Sequence, residues 1–128
     1  KRGEMLGHIV ALMKNIVVAG SHGKTTTTSL ISAIFSETNL DPTVINGGVL
    51  NSFSNSAKLG KSDWCILESD ESDGSFLNLP STYSIITNID NEHLDFYGSF
   101  QSLEDYFIKF IKKTPSFGKC FICADKIL

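Results

Sequence analysis

Lys24 and Thr25 directly follow Gly20-Ser21-His22-Gly23, and a lysine and a hydroxyl in that order suit phosphate chemistry. A glycine turn aims backbone N–H groups at phosphate oxygens, the lysine neutralises the outer phosphates, and the following hydroxyl can hold Mg2+. Small residues are required because a Cβ would obstruct the close approach. Gly20, Ser21, His22, Gly23, Lys24, Thr25 and Thr26 therefore form a candidate nucleotide-binding loop. The commoner spacing of such loops would place a glycine at position 18, which here is Val18; Gly20 serves instead, giving a shorter G-x-x-G-K-T loop.

Two further segments carry candidate chemistry. Glu68 ends the apolar run Trp64-Cys65-Ile66-Leu67, where an acid can support a metal beside a phosphate loop. It opens the segment Glu68-Ser69-Asp70-Glu71-Ser72-Asp73, whose four acids within six residues repel one another, a cost that a divalent cation would offset. Asp70, Glu71 and Asp73 fit a solvated turn as well as a site, and Glu68 is the best carboxylate. The third segment is Asn88-Ile89-Asp90-Asn91-Glu92-His93-Leu94-Asp95, where His93 can ligate a metal when neutral or contact an anion when charged.

The elements that must position these residues are short apolar runs alternating with helical patterns. Strands are expected at Asn15 to Ala19, Thr43 to Asn46, Trp64 to Leu67, Tyr83 to Thr87 and Lys119 to Cys123. A helix is expected from Lys24 to about Ser36 with Leu30, Ile31, Ile34 and Phe35 inward, and Asp41-Pro42 breaks the chain after it. Leu103, Tyr106, Phe107, Phe110 and Ile111 recur at helical spacing, so Phe107 and Phe110 read as core. Glu4 to Met13 is an amphipathic stretch with His8 on its surface. This β-α-β order gives an α/β fold with a mostly parallel sheet flanked by helices, in which ligands bind where loops leave the carboxyl ends of the strands. All three candidate segments follow strands.

Composition narrows the partners. At 128 residues with 41% hydrophobic content, the chain can form one domain with a modest core, and its net charge of -3 argues against nucleic acid. No apolar run approaches a membrane span, so a cytosolic, non-membrane protein is expected. Three cysteines, an odd number, suit reduced thiols; Cys120 and Cys123 have C-x-x-C spacing, but on a strand that offset puts the sulfurs on opposite faces. The chain starts without Met and stops at Leu128 after a strand-like run, which leads us to expect a piece of a larger protein.

The segments Gly20 to Thr27, Glu68 to Leu77 and Thr87 to Asp95 together resemble the central-domain signatures of the Mur ligases, in the family's order and approximate spacing. The similarity runs from Arg2-Gly3-Glu4-Met5-Leu6 to Cys123-Ala124-Asp125. The resemblance implies that residues 1–128 are part of a P-loop-type central ATP-binding domain, with the N-terminal UDP-binding and C-terminal domains absent from this chain. It implies an ATP-dependent amide-bond ligase of peptidoglycan synthesis that joins L-alanine to the lactyl carboxylate of UDP-N-acetylmuramate through an acyl phosphate. Carried over by position, Lys24 supports the ATP phosphates, Thr25 and Glu68 serve Mg2+, and His93 serves a second Mg2+ or the substrate side.

Ser21 and Ser69 are mild departures from residues usual in the family, Thr and Ala respectively. Murein-peptide recycling ligases share the glycine loop, but their acidic motif continues with Tyr and charges where this chain has Ser72 and then Phe76-Leu77-Asn78-Leu79-Pro80. The branch that adds alanine is therefore favoured. Sister ligases carry a carbamylated lysine where Phe107 stands here, with Lys109 nearby, so no carbamylated lysine is inferred. A P-loop switch enzyme would want the full-spacing loop that Val18 denies, and a non-catalytic nucleotide-binding module would not need Lys24, Thr25, Glu68 and His93 together.

Overall fold

The computed structural model describes residues 2–47 and 57–124, with side chains from Glu4 onward. Asp125, where the family resemblance ends, lies outside the described residues. The elements in chain order are α1 (Arg2–Val10), β1 (Lys14–Ala19), α2 (Lys24–Ser36), β2 (Thr43–Ile45), β3 (Ala57–Lys58), β4 (Trp64–Glu68), a 3-10 turn (Ser75–Asn78), β5 (Tyr83–Ile86), α3 (Leu94–Tyr97), α4 (Phe100–Lys112) and β6 (Lys119–Ile122).

Among the described residues the strands form one sheet in the order β3-β2-β4-β1-β5-β6, parallel at every pairing except β2 with β3. β1 sits centrally, and Val17, Val18 and Ala19 are fully buried, as a strand covered on both faces requires. Its register aligns Val18 with Glu68 of β4 and Ala19 with Ile86 of β5, so three strands end level with one another. The chain leaves β1 toward β2 and β4 on one side and later β5 on the other, which opens a crevice at the carboxyl ends of these strands.

The expected inward face of α2 needs correction. Leu30 and Ile34 are 62% and 64% exposed, whereas Thr28 and Ser32 are buried with Ile31 and Phe35 half-buried. At about 100° per residue, positions 28, 31, 32 and 35 share one face, and Leu30 and Ile34 fall opposite it. Hydrophobicity alone placed Ile31 and Phe35 correctly but not Leu30 and Ile34, because the small Thr28 and Ser32 complete the inward face and let the helix lie close to β1 and β4.

α4 follows the sequence reading. Leu103, Phe107 and Phe110 are buried, and Phe76 from the 3-10 turn sits 5.2 Å, ring to ring, from both Phe107 and Phe110. Ser99 caps the helix by accepting the Ser102 N–H at 3.1 Å, and Lys109 and Lys112 lie in the last turn where they complement the helix dipole. β3, the 3-10 turn and the four-residue α3 were not anticipated; each is too short to show a period. All three cysteines are free thiols, and no described helix is long and apolar enough to cross a membrane.

Candidate functional site

The glycine loop between β1 and α2 is fixed by two left-handed glycines and by the loop after β5. Gly20 has φ 128°, and a Cβ there would stand 2.2 Å from Thr87 Oγ1 and 2.8 Å from the Asn88 carbonyl oxygen. Gly23 has φ 79° as the N-cap of α2, with open space around it, so its requirement is conformational. Ser21 N–H donates to Asn88 O at 3.1 Å and His22 N–H to Asn88 Oδ1 at 2.8 Å. In return, Thr87 Oγ1 and Asn88 Nδ2 donate to His22 O at 2.6 and 3.1 Å, and Asp90 N–H donates to Ser21 Oγ at 2.9 Å. The His22 ring faces Asp90 and Glu92, with Nε2 at 3.2 and 3.4 Å from their carboxylates.

Ser21 and His22 thus spend their N–H groups on the protein itself. The first intrahelical bond of α2 is Thr27 N–H to Gly23 O at 2.9 Å, so the N–H groups of Lys24, Thr25 and Thr26 open the helix without an intrahelical acceptor. These three, at the positive end of the helix dipole, are the donors an anion would meet.

Of the sequence-expected residues, Ser21, Lys24, Thr25, Glu68 and His93 line one cleft of about 550 Å3 at the carboxyl ends of the strands, together with Glu71, whereas Gly20, His22, Gly23 and Thr26 are not among its lining residues. Thr25 Oγ1 donates to Glu68 Oε2 at 3.0 Å, and Gly47 N–H donates to the same oxygen at 3.1 Å. A Cβ at Gly47 would crowd Glu68 Oε1 at 3.1 Å, so glycine leaves room around that carboxylate. Two hard oxygen donors side by side, a hydroxyl and a carboxylate, are a donor set that suits Mg2+. Among the described residues no group of three or more His, Cys, Asp and Glu is spaced to hold a metal by protein ligands alone.

The three acids after β4 divide by role. Asp70 Oδ1 accepts Ser72 N–H at 3.0 Å and Asp73 Oδ1 accepts Ser75 N–H at 2.9 Å, which folds the turn. Glu71 is the residue that sequence reasoning undervalued: it is 3% exposed, and its Oε1 lies 2.8 Å from Lys24 Nζ and 3.7 Å from His93 Nε2. Lys24 Nζ also donates to Gly20 O at 2.6 Å and Ser21 O at 3.3 Å. His93 has φ 56°, the sole non-glycine residue with positive φ among the described residues, and its carbonyl accepts Phe96 and Tyr97 N–H at 3.0 and 3.1 Å. Strain of this kind concentrates at functional turns.

Tyr97 Oη donates a hydrogen bond to the Glu71 carbonyl. Burial, reinforced by the Glu71 charge, pushes the Tyr97 phenol well above the usual tyrosine range, so it stays a donor. Neither Tyr97 nor Asn88 was singled out from sequence. The one available signal was their place in or just after the histidine segment.

The Mur ligase middle domain family matches residues 18–127. A UDP-N-acetylmuramate–L-alanine ligase from Pelagibacter ubique is 74% identical over 98% of this chain, which spans 27% of that relative's length. The crystal structure of a Thermotoga maritima UDP-N-acetylmuramate-alanine ligase aligns with TM-score 0.83 and 28% identity, covering 98% of this chain and 28% of that one. A Neisseria meningitides UDP-N-acetylmuramate:L-alanyl-gamma-D-glutamyl-meso-diaminopimelate ligase aligns with TM-score 0.88 and 23% identity over 98% of this chain and 44% of that one.

Proposed function

This chain belongs to the Mur ligase family, and from that premise we propose that it forms part of the ATP-binding centre of a cytoplasmic ligase joining L-alanine to UDP-N-acetylmuramate. The observation that carries the reading is the Thr25–Glu68 pair, 3.0 Å apart, beside Lys24 at the start of α2. The choice of substrates draws on the identity to the Pelagibacter relative. The likeness to the Neisseria ligase is one of fold, so a recycling ligase is the lesser reading.

The chemistry asks two anions, a triphosphate and a carboxylate, to meet. In the proposed reaction a lactyl carboxylate oxygen attacks the γ-phosphorus and ADP leaves. The alanine amine then attacks the acyl carbon, inorganic phosphate leaves with the carbonyl–oxygen bond broken, and the amine loses its proton. Lys24 and the N–H groups of Lys24, Thr25 and Thr26 would neutralise charge developing on the phosphates. Gly20, Ser21, His22 and Gly23 would shape the loop around them. Thr25 and Glu68 would hold Mg2+, which supplies charge stabilisation on the phosphate oxygens; phosphates and water complete such a shell more often than further protein ligands do. His93 would serve a second metal or the substrate side of the cleft. The sugar nucleotide and the amino acid would be held by parts of the protein beyond this chain.

The test is phosphate release by the protein that carries this chain, given ATP and Mg2+. Release that needs both UDP-N-acetylmuramate and L-alanine supports the ligase. Release indifferent to the sugar nucleotide would replace it with a simple nucleotide hydrolase.

A further inference from the structure

Glu71 is an acid in a position where acids are rarely found. Carboxylates are almost never fully buried unless paired, and at 3% exposure Glu71 has its Oε1 against Lys24 Nζ at 2.8 Å while its other oxygen, Oε2, is buried with no hydrogen-bond partner. An incompletely satisfied buried carboxylate costs stability. A residue kept only to hold the fold together would be better replaced by an apolar side chain of the same size.

The main chain around Glu71 is pinned from two sides. Its carbonyl accepts the Tyr97 hydroxyl from α3 and the Gly74 N–H at 3.1 Å from its own turn. Gly74 itself has φ 69°, and a Cβ there would stand 2.8 Å from the Tyr106 ring. The carboxylate therefore reaches the phosphate loop from a fixed base. It meets Lys24, which its Gly20 and Ser21 carbonyl bonds hold from the other side, and it faces His93 at 3.7 Å. Lys24 has three N–H donors, and these three acceptors engage all of them.

We infer that Glu71 is a positioning residue for the phosphate loop: its carboxylate fixes where the Lys24 ammonium stands and links that lysine to the His93 turn. The inference rests on the reading that a nucleotide occupies this cleft. A lysine held by a carboxylate is presented at one place, to meet charge as it develops in the transition state. The same carboxylate offsets part of the lysine's attraction for the bound ground-state nucleotide. Removing the charge of Glu71 should then move binding and turnover in opposite directions, which a simple packing defect does not do.

The experiment uses the protein that carries this chain, as wild type, Glu71→Gln and Glu71→Asp, and measures the Kd for Mg-ATP, kcat and the melting temperature. Glu71→Gln is expected to bind Mg-ATP several-fold more tightly while kcat falls by about 100-fold, the scale of a small misplacement of a catalytic group. Glu71→Asp keeps the charge but draws it back from Lys24, so its Kd should stay near wild type while kcat still falls. Should Glu71→Gln fail to fold, Glu71→Asp carries the test: a wild-type kcat there overturns the inference. Unchanged or weaker nucleotide binding in folded Glu71→Gln also overturns it, as does a wild-type kcat. The Kd arm needs no ligation, so a wild-type protein that binds ATP without ligating would sink the proposed function and leave this inference to be decided by the Kd values.

Discussion

Lys24 and Glu71, forty-seven positions apart, form an ion pair of 2.8 Å with side chains only 15% and 3% exposed. That pair joins the start of α2 to the loop after β4 across the crevice. Since both ends are shielded from water, it is a stronger constraint than a surface ion pair, whose contribution is commonly below about 1 kcal/mol. The remaining site residues are arranged around it.

Lys24→Ala should remove turnover, because the lysine is the one side-chain cation among the cleft's described lining residues apart from any charge on His93. A charge-assisted contact is worth about 1.5–3 kcal/mol in binding, with more expected where charge builds in the transition state. Steady-state rates for the variant decide it, and near-normal turnover would sink the loop assignment.

Glu68→Gln should raise the Mg2+ concentration needed for activity steeply. Its carboxylate receives Thr25 Oγ1 and Gly47 N–H, and a glutamine amide would keep an oxygen for them but lose the charge a metal needs. An Mg2+ activation curve that overlays wild type would contradict the role given to Glu68.

Gly20→Ala should destabilise the protein. The new methyl would sit 2.2 Å from Thr87 Oγ1 at a φ of 128°, so both strain and collision act, and the strain alone is of the order of 1–3 kcal/mol. Gly23→Ala meets nothing within 4 Å and should be the milder change in melting temperature. Equal melting temperatures for the two variants would mean that the Gly20–Thr87 contact is not a constraint.

How far the sequence foretold this arrangement can be seen residue by residue. The strand-loop-helix run around Lys24 was legible because apolar continuity, glycine spacing and helix period all change there within a few residues. Glu68 was legible because an acid ends an apolar strand. Glu71 was not, since Asp70, Glu71 and Asp73 look alike in sequence and only the turn geometry sends one inward and two to backbone N–H groups. The inward face of α2 was half legible: Ile31 and Phe35 lie on it, but Leu30 and Ile34 do not, because Thr28 and Ser32 fit by size against the sheet and polarity scales cannot see size. Short elements such as α3, begun by the strained His93, have no period to detect.

Cys65 makes stability fall at alkaline pH. Burial raises its thiol from 9.0 to about 12, so between those values the unfolded thiol ionises while the folded one stays neutral. The unfolded state then binds fewer protons, and stability drops by at most about 1.4 kcal/mol per pH unit for one such proton. The contribution is complete below pH 9.0 and disappears as pH rises through about 12. Tyr97 acts in the same direction, so the measurement is the difference between wild type and Cys65→Ala in melting temperature from pH 8 to 11. An identical slope in the two proteins would contradict the burial effect. Under native conditions the exposed Cys123 should react with a thiol reagent well before Cys65.

The central claim is that this cleft activates a carboxylate as an acyl phosphate, and oxygen transfer tests it most directly. UDP-N-acetylmuramate labelled with 18O in its lactyl carboxylate is incubated with ATP, Mg2+, L-alanine and the protein that carries this chain. The account predicts that each phosphate released carries one carboxylate-derived 18O, and that Lys24→Ala abolishes the transfer. Ligation that yields unlabelled phosphate, or labelled transfer that persists in Lys24→Ala, would contradict it.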